Sequence, residues 1–236
     1  MNTHAQIYLA DQRGCSETDF FRSYHTFNFG QYADESRKPF GALYLLNDDT
    51  LRAGASLSLQ VEQNTQVVLL PVLGGLEYLS DIDSGFLEAG QAGILSLAAG
   101  MRYTISNPYD QETINFLQWW LIPPIVDFTP GISQAGFDLS RKNTLLPLVD
   151  STSSKADSRS FIGRYDGRQE GTYTVTVHSK ATGIFVFIIQ GAFEVANRLL
   201  HEKDGLALLY EKANALEFEA LSNDALLLLL DLPVTG

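Results

Sequence analysis

The chain is poor in cysteine, in positive charge, in histidine and in long apolar runs. Cys15 is the only cysteine in 236 residues, so no disulfide can form within the chain. Lys and Arg number 16 against 28 Asp and Glu, giving a net charge of −12 and a pI near 4.6. The basic residues are scattered, with no patch that could neutralise phosphates, which excludes nucleic acid as the expected partner. The same charge disfavours an anionic membrane surface and favours solubility. The most apolar run, ALLLLLDLPV at 225–234, is far too short to span a bilayer. The opening MNTHAQIYLADQRG has no basic start followed by an apolar core, so a cytoplasmic protein is expected. The four histidines, His4, His25, His178 and His201, are far apart in sequence. Gly-x-Ser-x-Gly, phosphate-loop and dinucleotide fingerprints are all missing.

What is present reads as β almost throughout. Segments rich in Val, Ile, Phe, Tyr and Thr recur between Gly, Asn and Asp turns: QVVLLPVLGG, INFLQWWLI, TYTVTVHS and GIFVFIIQG. Thr172–Val177 alternates apolar and polar, as a half-exposed strand does; 67–73 and 184–189 are continuously apolar, as doubly buried strands are. The segment DGLALLYEKANAL at 204–216 has some helical character, but it is short and opens on a turn-like Asp-Gly, which predicts strand. A chain of this length buries roughly 70–75% of its unfolded surface and needs no disulfide or structural metal to fold.

One β unit occurs twice. VLGGLEY at 72–78 matches IQGAFEV at 189–195, with Gly74 over Gly191 and Glu77 over Glu194. Each copy follows an apolar run and is followed by an apolar strand closed by Pro: QWWLIP at 118–123 and LLLDLP at 228–233. The repeat predicts two similar barrels, at 1–123 and 145–236, with a Pro-containing surface linker at 124–144.

Several stretches then resemble a known family. LADQRG followed by SYHTFNFGQY, FGALYLLNDDTLRAG at 40–54, QWWLIP and the duplicated unit are similar, in order, to the pirins. The chain is identified by this likeness as a member of the pirin or quercetin 2,3-dioxygenase-like bicupins, in particular the shorter bacterial pirin-like group. The resemblance implies an all-β fold of two antiparallel β-barrels of the double-stranded β-helix or jelly-roll type, packed face to face. It implies a metal, when present, only in the N-terminal barrel, and an N-terminal segment partly tied to the second barrel.

The family's metal ligands are missing. Aligned on Gly75 and Gly100, the positions of a His-x-His pair and a later His-x-Glu pair fall on Val61, Gln63, Tyr103 and Ile105. Apart from Tyr103, none is an ordinary ligand for iron, copper or nickel, and one Tyr does not make a site. No metal or other cofactor is therefore expected. If Val61 and Gln63 keep the i, i+2 alternation of a strand, they face the same side and Glu62 the other. Gln63 and Tyr103 are then expected to project into the first barrel, bonding each other, water or a small ligand.

Other residues have plainer readings. Trp119 and Trp120, adjacent on a strand, are expected to place one ring in the core and one partly outside. His25 reads as a structural part of the N-terminal segment, and Asp48 and Asp49 as turn residues, since two carboxylates are too few for calcium. Cys15, near Arg13, is a possible redox thiol and more simply an inert one.

Three functional classes follow. The expected one is a metal-free binding or sensing module that holds a small organic ligand in the N-terminal barrel; a protein partner is not indicated. The alternatives are a quercetin 2,3-dioxygenase, as the family activity implies, and a cofactor-independent cupin isomerase using Tyr and acidic groups for proton transfer.

Overall fold

The computed structural model describes residues 4–123, 128–149, 158–177 and 181–234. The chain divides into two compact units. One, the N-terminal barrel, comprises Gly14–Pro39 and Leu43–Gly136; the other, the C-terminal barrel, comprises Met1–Arg13, Phe40–Ala42 and Phe137–Gly236. Among the described residues the regular structure is strand, numbered β1–β21 in chain order, with one short 3-10 turn at Ala10–Gln12. No helix among them is long and apolar enough to cross a membrane.

Each barrel is built from two antiparallel sheets. In the N-terminal barrel the larger sheet runs β12 (Gly131–Gly136), β9 (Gln91–Leu97), β6 (Thr65–Leu73), β11 (Ile114–Leu121), β4 (Leu43–Leu51), β3 (Phe21–His25), β2 (Gly14–Glu17). Its smaller sheet runs β5 (Ser56–Gln60), β10 (Arg102–Ser106), β7 (Leu76–Ser80), β8 (Ser84–Leu87). In the C-terminal barrel the larger sheet runs β1 (His4–Tyr8), β19 (Gly205–Tyr210), β16 (Thr182–Gln190), β21 (Ala225–Pro233), β14 (Arg159–Tyr165), β13 (Thr144–Val149). Its smaller sheet runs β15 (Glu170–Val175), β20 (Asn214–Ala220), β17 (Phe193–Val195), β18 (Arg198–Leu200).

The smaller sheets match strand for strand and the larger ones share six positions, β2 being extra in the N-terminal barrel, so the sequence repeat is a structural one. Its two glycines do the same work. Gly74 (φ +75°) turns β6 into β7, and Gly191 (φ +79°) turns β16 into β17. A Cβ on Gly74 would meet Ile114 Cγ2 at 2.9 Å, in a backbone conformation that L side chains rarely adopt.

The apolar runs form the central strands. β6 is buried from Thr65 to Pro71, and β16 throughout except its last residue. Residues 204–216, where helix and strand competed, fall on β19 and the start of β20, so the Asp-Gly turn decided correctly. Each fully buried Leu, Val or Phe side chain contributes roughly 1.5–3 kcal/mol by leaving water. The barrel interiors supply most of these, around Val67, Leu69, Leu95 and Phe116 in one unit and Val186, Leu208, Phe218 and Leu229 in the other.

The N-terminal segment is tied to the C-terminal barrel, as the family resemblance implies, while the unit boundaries differ from the expected 1–123 and 145–236. β1 belongs to the C-terminal barrel, pairing with β19 from His4↔Leu209 to Tyr8↔Gly205, and the Ala10 amide donates to Asp204 Oδ1 at 2.8 Å. The expected linker 124–144 contains β12, which pairs with β9 and extends the N-terminal barrel to Gly136. The prolines preceding it suggested loop, but an edge strand needs only backbone pairing, and GISQAG carries little apolar pattern to announce it. Residues 124–127 lie outside the described residues.

Candidate functional site

The four positions where the family carries ligands do not stay together. Val61, Tyr103 and Ile105 are fully buried in the apolar interior of the N-terminal barrel, at 0–1% exposure. Gln63 is exposed, contrary to expectation. The reason is that β5 ends at Gln60. The Val61 amide and carbonyl still bond Met101 and Gly100, at 3.0 and 2.8 Å, but the chain then bends through 62–64 and the two-residue alternation stops.

Tyr103 does not meet Gln63. Its hydroxyl accepts from the Trp120 indole N–H at 2.9 Å and donates to Gln118 Oε1 at 2.7 Å; the Gln118 amide then donates to Asp49 Oδ2. This buried string links β11, β10 and β4 inside the barrel. Burial pushes the Tyr103 phenol well above its ordinary value, so it stays protonated. Burial also raises Asp49 from 3.8 to about 7, assisted by the charge of Asp48 and opposed by hydrogen bonds from Ser23 and Gln118. Asp48 and Asp49 are therefore buried strand residues of β4, not turn residues. An alternating strand with carboxylates on both faces carries no apolar signal at those positions, which is why they read as a turn.

His25, also fully buried, sits beside this string with the role expected of it. Its Nδ1 lies 2.9 Å from Asn47 Oδ1 and its Nε2 2.8 Å from the Ser16 hydroxyl. Both rings of the Trp pair are buried, Trp119 at 0% and Trp120 at 6%, where one partly outside was expected. Cys15 is exposed on β2. His4 and His201 are exposed in the other unit, and His178 lies outside the described residues.

A large open space lies at one end of the barrel. A cavity of about 710 Å³ lies where β5 and β11 end and β4 and β6 begin. Phe29, Tyr32, Tyr44 and Trp120 line it, with Gln60, Glu62 and Gln63 on its polar side. Tyr44 reaches it through a β-bulge. Trp120 and Leu121 pair with Leu45 and Leu43, so Tyr44 is the extra residue on β4. The Tyr44 and Trp120 rings are nearly parallel, 13° apart with centroids at 6.4 Å, and Phe29 meets Trp120 edge-on at 82° and 6.1 Å. The loop carrying Phe29 and Tyr32 is fixed by their mutual backbone bonds of 3.1 and 3.0 Å. Asn28 adds bonds to the Asp34 carbonyl and amide. Of the residues expected to line a pocket, only Gln63 does so. The aromatic wall was missed because its members come from three separate segments.

These residues do not fit a transition metal. Two of the four positions are hydrocarbon, Gln63 is turned outward, and the Tyr103 oxygen is committed to two partners as a neutral phenol. Among the described residues no group of three or more His, Cys, Asp or Glu is placed to hold a metal ion.

Two antiparallel barrels of corresponding strand order in one chain define a bicupin. Comparison with known proteins agrees and narrows the class. Residues 150–232 match the family model described as the quercetinase C-terminal cupin domain. The quercetin 2,3-dioxygenase of Escherichia coli K12 is 24% identical over 234 residues, covering 96% of this chain and 99% of that protein. A pirin-like protein of Caulobacter vibrioides is 23% identical over 206 residues, covering 84% and 88%. Among solved structures, YhhW of Escherichia coli superposes with a TM-score of 0.85 at 21% identity, covering 98% of this chain and 99% of that one. A structure of the same bacterial pirin in complex with nickel(II) gives 0.84. Over nearly its full length the chain is similar to the pirin and quercetin 2,3-dioxygenase-like bicupins, and its C-terminal part matches their family model.

Proposed function

We propose that this chain is a pirin-like cupin that binds a small organic molecule at the end of its N-terminal barrel, without a transition metal and without transforming it. The observation that carries this reading is the cavity of about 710 Å³, walled by four aromatic rings and a few polar side chains, above an interior whose family ligand positions are filled. Apolar walls with a few fixed hydrogen-bonding groups are the usual make-up of a small-molecule site. The cytoplasm, expected from the sequence, is the setting proposed for it.

The dioxygenase reading rests on the names of relatives; one neighbour was solved with nickel(II), whereas among the described residues here no group of three or more His, Cys, Asp or Glu is placed to hold a metal ion. The isomerase reading needs a proton-transfer group at the ligand. Asp49, with a value near 7, has that capacity, but it is fully buried behind Gln118 and does not line the cavity.

A thermal-shift screen of small aromatic and carbohydrate compounds on the full chain tests the proposal. A compound held in the cavity raises Tm and changes tryptophan fluorescence, and Tyr44→Leu or Gln63→Leu weakens both effects. A full screen without a stabilising compound, or binding that ignores both substitutions, overturns it.

A further inference from the structure

The cavity's walls carry a second message, about the charge of what they hold. It rests on the binding reading above and goes further by naming a chemical class. Among the described residues lining the cavity there are four aromatic rings, Phe29, Tyr32, Tyr44 and Trp120, and one ionisable carboxylate, Glu62. There is no Lys, Arg or His. We infer that the site selects an organic cation, an alkylated or aromatic ammonium, whose charge sits among the rings and beside Glu62.

An aromatic ring presents a negative face, and several rings around one point attract a cation whose own hydration is weak. Tyr44 and Trp120 supply near-parallel rings and Phe29 a third almost perpendicular to Trp120, so the walls approach from more than one direction. Trp120, the strongest of them in this role, is held in orientation by its bond to Tyr103. Tyr44 is placed by the bulge on β4. Phe29 and Tyr32 are placed by the loop that their mutual backbone bonds close. The rings are therefore positioned before a ligand arrives, which spares the ordering cost of binding.

Glu62 decides the sign. A neutral ligand covering it would strip water from a carboxylate and return at most a hydrogen bond, and an anion would be repelled. A cation gains from both the carboxylate and the rings. The chain's net charge of −12 raises the local concentration of cations in the same direction.

The test uses the full chain with choline and its uncharged isostere 3,3-dimethyl-1-butanol, read by tryptophan fluorescence and thermal shift. Choline is expected to bind about tenfold more tightly than the isostere. Raising the salt concentration weakens choline and leaves the isostere unchanged. Glu62→Gln and Tyr44→Leu, both at exposed positions, each reduce choline affinity several-fold while the Tm of the unliganded protein stays put. Equal or tighter binding of the isostere, or indifference of choline to Glu62→Gln, overturns the cation assignment and leaves the binding site standing. If neither probe binds and the neutral aromatic and carbohydrate screen is also silent, the binding reading falls with it.

Discussion

At Tyr103 a single hydroxyl serves two buried partners, where a relative with the family's ligand set would carry a histidine. Removing it strands the Trp120 N–H and the Gln118 carbonyl together. Tyr103→Phe is expected to lower stability by about 1–3 kcal/mol, measured by denaturant unfolding, and to loosen the Trp120 ring, seen as a shift in fluorescence. Asp49 makes a prediction of the opposite kind. Its value is about 7 in the folded protein against 3.8 ordinarily. Between those limits the folded chain keeps a proton that the unfolded chain has released. Its contribution is most favourable below the lower value, declines as pH rises between them and is level above about 7. Asp34, Asp138 and Asp224, whose values are lowered by hydrogen bonds and cationic neighbours, act in the other direction. The clean quantity is the difference between wild type and Asp49→Asn. The variant is expected to gain on the wild type from pH 4 to about 7, and a flat difference would show that Asp49 is charged throughout. At this scale the sequence marked Val61, Gln63, Tyr103 and Ile105 for attention but not where Gln63 points. Alternation predicts direction only while a strand lasts, and β5 stops one residue before Val61.

At the scale of elements the leucine run 226–230 is the sharpest case. Five consecutive leucines predict a strand buried on both faces, and β21 pairs with β14 on one side and β16 on the other. Leu228 has no exposed surface. Leu228→Asp places an unpaired charge there and is expected to cost several kcal/mol. Recovery of soluble protein with an unchanged melting curve would contradict the burial. Long apolar runs of this kind were legible because they must be covered whatever surrounds them. β12 was not legible, because an edge strand is defined by a neighbour's free backbone groups and not by its own side chains. The bulge that delivers Tyr44 to the cavity was equally silent: it is a matter of register between β4 and β11, which no local pattern records.

For the molecule as a whole, the repeat in sequence became two barrels of corresponding strand order, with β2 added to the first, and the chain's structural likeness to a bacterial pirin extends over nearly its full length. In the N-terminal barrel Val61, Tyr103 and Ile105 are packed into the interior, and a cavity with aromatic walls lies at one end. The account's central claim is that this barrel works without a transition metal. Elemental analysis of the purified full chain, before and after incubation with nickel(II) and desalting, tests it most directly. The account predicts far less than one iron, copper, nickel or zinc per chain in both samples, and a Tm that nickel(II) does not raise. About one tightly held metal per chain, with a Tm that rises on loading, would contradict it.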